Sequence, residues 1–247
     1  RPLAQSNLAS MTNPNLEIPL VGQSLTMQNL YRLIARTMNG TAPILVLGEP
    51  GTGKSVIAAS LHSFSNRAHL PLVILDSEMT GHQSTINDAI KKVGSGTLIL
   101  DGVSDLNPES QLRVLHTLGE PSEQSARLIS IAGSKIVADV QNGSFRNDLF
   151  FRISSLQLKV PPLRERVEDI LVMAEYFINT TETDTEFEFS ASGMEVLRGY
   201  DWPGNVRQLQ NVIGQLMMES SNAIFDGPAV QEVLKKCGFF ITMNELS

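Results

Sequence analysis

Residues 42–64 read "APILVLGEPGTGKSVIAASLHSF": a short unbroken apolar run, a glycine-rich turn, then residues at helical spacing. An apolar run of this length without polar alternation suits a strand covered on both faces, as in a parallel sheet. The turn, Gly48 to Ser55, satisfies G-x-x-x-x-G-K-[ST] in the strand-to-helix context that gives this pattern its meaning. Gly48, Gly51 and Gly53 permit backbone angles and a close approach that a Cβ would block. Successive N–H groups and the helix N-terminus then cradle phosphate oxygens. Lys54 is expected to reach the β- and γ-phosphates of ATP, and the Ser55 hydroxyl to ligate Mg²⁺. Gly48, Glu49, Pro50, Gly51, Thr52, Gly53, Lys54, Ser55 and Val56 are thus the candidate nucleotide-binding residues.

Outward from this loop, strand and helix patterns alternate. "LPLVILD" (70–76), "GTLILD" (96–101), "RLISIAG" (127–133) and "SLQLKV" (155–160) read as further strands. "STINDAIKKV" (84–93) and "PESQLRVLHTL" (108–118) read as helices between them. Such alternation predicts an α/β fold, a parallel sheet between helices. Asp101 closes an apolar strand and is either a Mg²⁺ carboxylate beside the loop or a turn aspartate capping the next segment.

After "VPPLRER" (160–166) the pattern changes. Ile170, Leu171, Ala174, Phe177 and Ile178 share one helix face, and Val206, Leu209, Val212, Ile213 and Leu216 another, opened by Pro203. A third helix is expected near 228–236, and Ser190 is an N-cap candidate. The expected organisation is a linker (1–19), an α/β nucleotide-binding core (20–163), an all-helical lid (164–240) and a tail (241–247).

Bulk properties narrow the function. The net charge of −7 gives no global basic field to attract nucleic acid, so any grip on DNA is expected from another segment. No apolar run approaches the roughly 20 residues that span a bilayer, and the N-terminus lacks a signal-peptide layout. The single cysteine, Cys237, rules out an internal disulfide and is compatible with a reducing cytoplasm. His62, His69, His82 and His116 lack metal-ligand spacing. The chain opens on Arg1 rather than methionine, and a longer parent chain is expected.

With these residues assembled, the chain resembles the central AAA+ domain of bacterial enhancer-binding transcription activators, within them the NtrC-like nitrogen-regulation response regulators. The resemblance runs from "PLVGQS" (19–24) to about residue 225. It is carried by "GEPGTGK", "GTLILDGVSDL", "SFRNDLFFRI" (144–153), "VPPLRERVEDI" (160–170) and "WPGNVRQLQN" (202–211). It implies a P-loop ATPase core with a helical lid, ATP held between them, and a ring of subunits. It also implies a receiver domain upstream, answering a sensor kinase, and a DNA-binding domain downstream. By resemblance Val21 and Gly22 lie against adenine, and Asp101 is the Walker B aspartate. Arg146 and Arg152 are the arginines offered to a neighbour's γ-phosphate, and Arg207 is the lid arginine that senses nucleotide. The family more often places an acid at the position of Ser55.

Four departures bear on activity. The Walker B acid that polarises the attacking water falls at Gly102, which has no group to orient it; positioned general-base chemistry is worth roughly 10²–10⁴-fold. The first sensor's polar pair falls at Ala132 and Gly133. "SEMTGHQSTINDA" (77–89) carries no following GAFTGA, the loop that grips sigma-54 in the family, and "GEPSEQSA" (119–126) is too short for the second substrate-touching loop. The asparagine that restrains the catalytic acid falls at Asp76, which either supplies a substitute carboxylate or solvates its own turn.

Three readings follow. The leading one is a transcription regulator whose central domain binds ATP and Mg²⁺ and self-assembles, with slow or no hydrolysis, working with the housekeeping RNA polymerase. The second is an active ATPase using Asp76 or Asp105. The third is a scaffold indifferent to ATP.

Overall fold

The computed structural model describes residues 20–78, 83–118, 124–181, 185–219 and 223–237 of the 247. Five strands form one parallel sheet in the order β2-β3-β4-β1-β5: β1 (Ile44–Leu47), β2 (Leu72–Asp76), β3 (Thr97–Asp101), β4 (Arg127–Ala132) and β5 (Leu156–Lys159). Every residue of β1 and β4 is buried, and both are interior strands; this suits the unbroken apolar run of β1, while β4 also buries Arg127 and Ser130. The expected P-loop AAA+ core is therefore present, with β4 inserted between β1 and β3.

Helices connect the strands: α1 (Leu25–Thr37) precedes β1, α2 (Lys54–Ser63) follows it, and α3 (Gln83–Val93) and α4 (Pro108–Thr117) lie on either side of β3 in sequence. The short α5 (Ile136–Gln141) and α6 (Asn147–Ile153) lead to β5. The start of α4 is written locally: Asn107 Oδ1 accepts from Ser110 N at 2.8 Å and Pro108 opens the first turn. One core layer gathers Leu45, Leu47, Val73, Leu75, Leu98 and Leu100 from the strands with Ile86, Val114 and Leu149 from the helices.

The chain divides into two compact units. Of the described residues, one unit contains Asn29–Glu49 and Gly53–Val160; the other contains Val21–Gln28, Pro50–Thr52 and those from Pro161 on. The second unit contains the helices of the lid, α7 (Val167–Thr180), α8 (Ala191–Gly199), α9 (Asn205–Glu219) and α10 (Gly227–Lys236), together with Val21–Gln28 and Pro50–Thr52, which the sequence division places in the core. It also carries a two-residue parallel pair, β6 (Glu188–Phe189) with β7 (Ile224–Phe225). Ile170, Ala174, Ile178, Leu209, Val212, Ile213 and Leu216 are buried together around Trp202 and Phe225. Ser190 caps α8, accepting from Gly193 N at 3.2 Å. The helix expected from Pro203 begins instead at Asn205, because Trp202 and Asn205 both take positive φ (51° and 54°) and close a turn through Asn205 N to Trp202 O at 2.7 Å.

The segments compared with the two substrate-touching loops, 77–89 and 119–126, fall partly outside the described residues, at 79–82 and 119–123. The linker 1–19 and tail 241–247 fall wholly outside them.

Candidate functional site

The phosphate loop leaves the carboxyl end of β1, where ligands of open α/β sheets collect. Gly51 and Gly53 stand at φ 78° and 98°, a left-handed region that glycine enters without steric cost. Gly53 immediately precedes α2, so the chain turns from loop to helix without a side-chain cap. Lys54 Nζ donates to Glu49 O at 2.8 Å, which holds the ammonium over the loop.

Ser55 and Asp101, widely separated in sequence, come together: Ser55 Oγ donates to Asp101 Oδ2 at 3.2 Å. A hydroxyl oxygen and a carboxylate oxygen in contact are hard donors of the type Mg²⁺ takes, together with phosphate oxygens and water. The residues present therefore fit the metal expected from the sequence. Asp76 stands opposite Asp101 in the β2–β3 register, but its Oδ1 accepts from Glu78 N at 3.0 Å and Ser77 Oγ at 3.3 Å. Asp76 thus solvates its own turn.

Gly102 adopts φ 71° and ψ 32° and opens the tight turn Val103–Asp105, closed by Asp105 N to Gly102 O at 2.8 Å. A Cβ built there would lie 3.0 Å from Ser77 Oγ and 3.3 Å from Asp105 Oδ2. Missing from the sequence is any sign that the backbone here is left-handed; only the fold reveals that a side chain at this position would be strained. At the end of β4, Ala132 is buried, and Gly133 N donates to Ser104 Oγ at 3.2 Å.

Of the remaining sequence candidates, Arg207 meets the loop through its backbone amide, while Arg146 and Arg152 hydrogen-bond to residues outside it. Arg146 precedes α6, exposed, and its guanidinium grips Asp148 through Nε at 3.0 Å and Nη2 at 2.7 Å. This pairing raises the Arg146 pKa and lowers that of Asp148. Arg152, in the last turn of the same helix, donates from Nη2 to Leu118 O at 3.1 Å. Val21 packs against the helical unit's core, next to Gly22. Arg207 has an exposed side chain, but its backbone N donates to Gly51 O at 3.2 Å.

Three residues escaped the sequence reading. Within the helical unit, Asn205 Nδ2 donates to Pro50 O at 3.0 Å and Arg166 Nη2 to Thr52 O at 2.8 Å. Both lie in stretches that carry the family resemblance, but nothing in their residue type announces a partner so distant in sequence. Asp169 was missed for the same reason: fully buried, it accepts from Gln23 N, Ser24 N and Ser24 Oγ at 2.5–2.7 Å, fastening the segment that carries Val21 and Gly22.

Comparison with known families is decisive for ancestry. The model of the sigma-54 interaction domain matches residues 21–163, and that of the AAA+ ATPase lid domain matches residues 164–236. The chain belongs to the sigma-54 interaction domain family. Relatives in this family include the DNA-binding transcriptional regulator NtrC of Bradyrhizobium sp. (strain RP501 Parasponia), 34% identical over 229 residues, covering 81% of this chain and 48% of that protein. The transcriptional regulatory protein ZraR of Escherichia coli K12 is 33% identical over 225 residues, covering 78% and 51%. Among solved structures, NtrX from Brucella abortus in complex with ATP superposes with a TM-score of 0.74 at 27% identity, covering 85% of this chain and 56% of that one. The chain spans about half the length of the curated relatives it matches. Among the described residues, no helix is long and apolar enough to cross a membrane.

Proposed function

We propose that this chain is the ATP- and Mg²⁺-binding, self-assembling centre of an NtrC-like bacterial transcription regulator, in which bound triphosphate joins subunits rather than being split rapidly. The observation that carries the reading is the contrast at the end of β3. Ser55 and Asp101 are in contact, a pair of oxygen donors that suits Mg²⁺, while the residue after Asp101 is Gly102 in a left-handed turn. The structure of NtrX in complex with ATP supports nucleotide binding by this family.

The chemistry divides as follows. The loop amides and Lys54 bind phosphate; Ser55 and Asp101 hold Mg²⁺, which when bound neutralises phosphate charge. No side chain at residue 102 orients water. A ligand that binds the assembled state better than the free subunit stabilises assembly by mass action. Arg146 and Arg152 are the cations we assign to a neighbour's triphosphate, Arg146 exchanging Asp148 for it. Because the sequence contains no GAFTGA, we further propose that the regulator acts with housekeeping RNA polymerase, independently of sigma-54. DNA is then bound through a separate downstream domain, and a sensor kinase acts through an upstream receiver domain.

Sedimentation with and without ATP, beside phosphate release, tests the central claim. The expected result is ATP-dependent assembly with negligible release, abolished by Lys54→Ala. Brisk release abolished by Asp76→Asn would establish a working ATPase instead, and indifference to ATP would establish a scaffold.

A further inference from the structure

The glycine-rich loop is held from behind at three consecutive carbonyls. Pro50 O accepts from Asn205 Nδ2 at 3.0 Å, Gly51 O from Arg207 N at 3.2 Å, and Thr52 O from Arg166 Nη2 at 2.8 Å. All these residues belong to the helical unit. The peptide bonds of the described chain are trans, and in a trans peptide the C=O and N–H point in opposite directions. Fixing the carbonyls of residues 50, 51 and 52 toward their donors therefore turns the N–H groups of 51, 52 and 53 the other way. Those are the amides by which such a loop cradles phosphate. A free loop would have to be ordered by its ligand, at a cost in affinity; a clamped one has been ordered by folding.

We infer that Asn205, with Arg166 and the Arg207 amide, is a positioning clamp that presets the phosphate-binding amides; this rests on the nucleotide-binding reading above. Asn205 is suited to the task. Its side chain is fully buried, and Leu163 N donates to its Oδ1 at 2.8 Å. With the oxygen facing an N–H, the amide nitrogen must face the Pro50 carbonyl, so the orientation is settled by the hydrogen-bond network. Asparagine tolerates the left-handed φ of 54° better than most residues, which lets one residue begin α9 and still reach the loop. The backbones also approach closely: a Cβ on Gly51 would come within 2.2 Å of Gly204 O. The Pro-Gly-Asn stretch at 203–205 is thus shaped to the back of the loop.

The test compares the intact chain with Asn205→Asp and Asn205→Gly. The aspartate keeps the volume and the acceptor for Leu163 N but cannot donate to Pro50 O. The glycine keeps the left-handed backbone and removes both side-chain bonds. Inorganic pyrophosphate, ADP and adenosine are titrated with Mg²⁺ by calorimetry, with circular dichroism reporting the fold. Pyrophosphate and ADP affinity are expected to fall about tenfold, the worth of one well-made hydrogen bond, with adenosine unchanged. A folded variant that binds pyrophosphate like its parent overturns the clamp. Equal weakening of all three ligands overturns it too, since that marks general disruption of the site. If the aspartate variant does not fold, the glycine variant decides by the same criteria. A parent chain that binds neither pyrophosphate nor ADP overturns the nucleotide-binding reading and the clamp with it, a result distinguishable because it precedes any mutation.

Discussion

Gly102 is the position at which the activity reading can be tested most directly. Substituting a side chain there places an L-residue at φ 71°, ψ 32°. The left-handed region costs most L-residues about 1–2 kcal/mol. Replacing glycine also stiffens the unfolded chain, which returns about 0.4–1 kcal/mol. The close contact is with Ser77 Oγ, a small side chain that can rotate away, so it adds little. The net loss for Gly102→Ala is about 1 kcal/mol, or roughly 2–4 °C in melting temperature for a chain of this size. Gly102→Asn should lose less, because asparagine enters this region more readily. Gly102→Glu carries the same backbone penalty as alanine, and its carboxylate leaves the chain in the direction set by a left-handed Cα. It is therefore expected to lower the melting temperature without restoring brisk phosphate release. Differential scanning calorimetry and a phosphate-release assay on the three variants check both halves. An alanine variant as stable as the parent would refute the strained-turn argument. Rapid turnover by the glutamate variant would refute the claim that the fold here has closed the site to an acid.

Two further predictions concern stability. His62 is buried, with Nδ1 at 2.8 Å from Thr97 Oγ1, and burial first, then the nearby Arg127 guanidinium, lower its pKa below 6.5. The unfolded chain therefore takes the proton first: the contribution is full above the unfolded value and is lost as pH falls below about 6.5. Urea unfolding between pH 7 and 5 should show a steeper loss for the parent than for His62→Asn; equal slopes would refute the assignment. In the helical unit, Asp169→Ala strands the donors of Gln23 and Ser24 and should cost about 2–4 kcal/mol. Hydrogen exchange at those two amides should accelerate with it, and unchanged protection would count against the anchor.

The parts legible in the sequence are those whose cause is local. A loop must be glycine-rich to expose its amides, a strand covered on both faces is largely apolar, and α4 announces its start through Asn107 and Pro108. These requirements act within a few residues, so "APILVLGEPGTGKS" fixed the place of the phosphate loop and the run of strands around it. The contact between Ser55 and Asp101 was anticipated because each residue type already stood at the end of an element. The tertiary structure alone decided the rest. Whether Asp76 faces a water or its own turn depends on which amide it meets, and it meets Glu78 N. Whether Arg146 is bound or released depends on Asp148. That Asn205 and Arg166 reach the back of the phosphate loop depends on donors and acceptors more than 100 residues apart. A hydrogen bond is specified by the positions of two groups in space, and the identity of either group alone does not contain the position of the other.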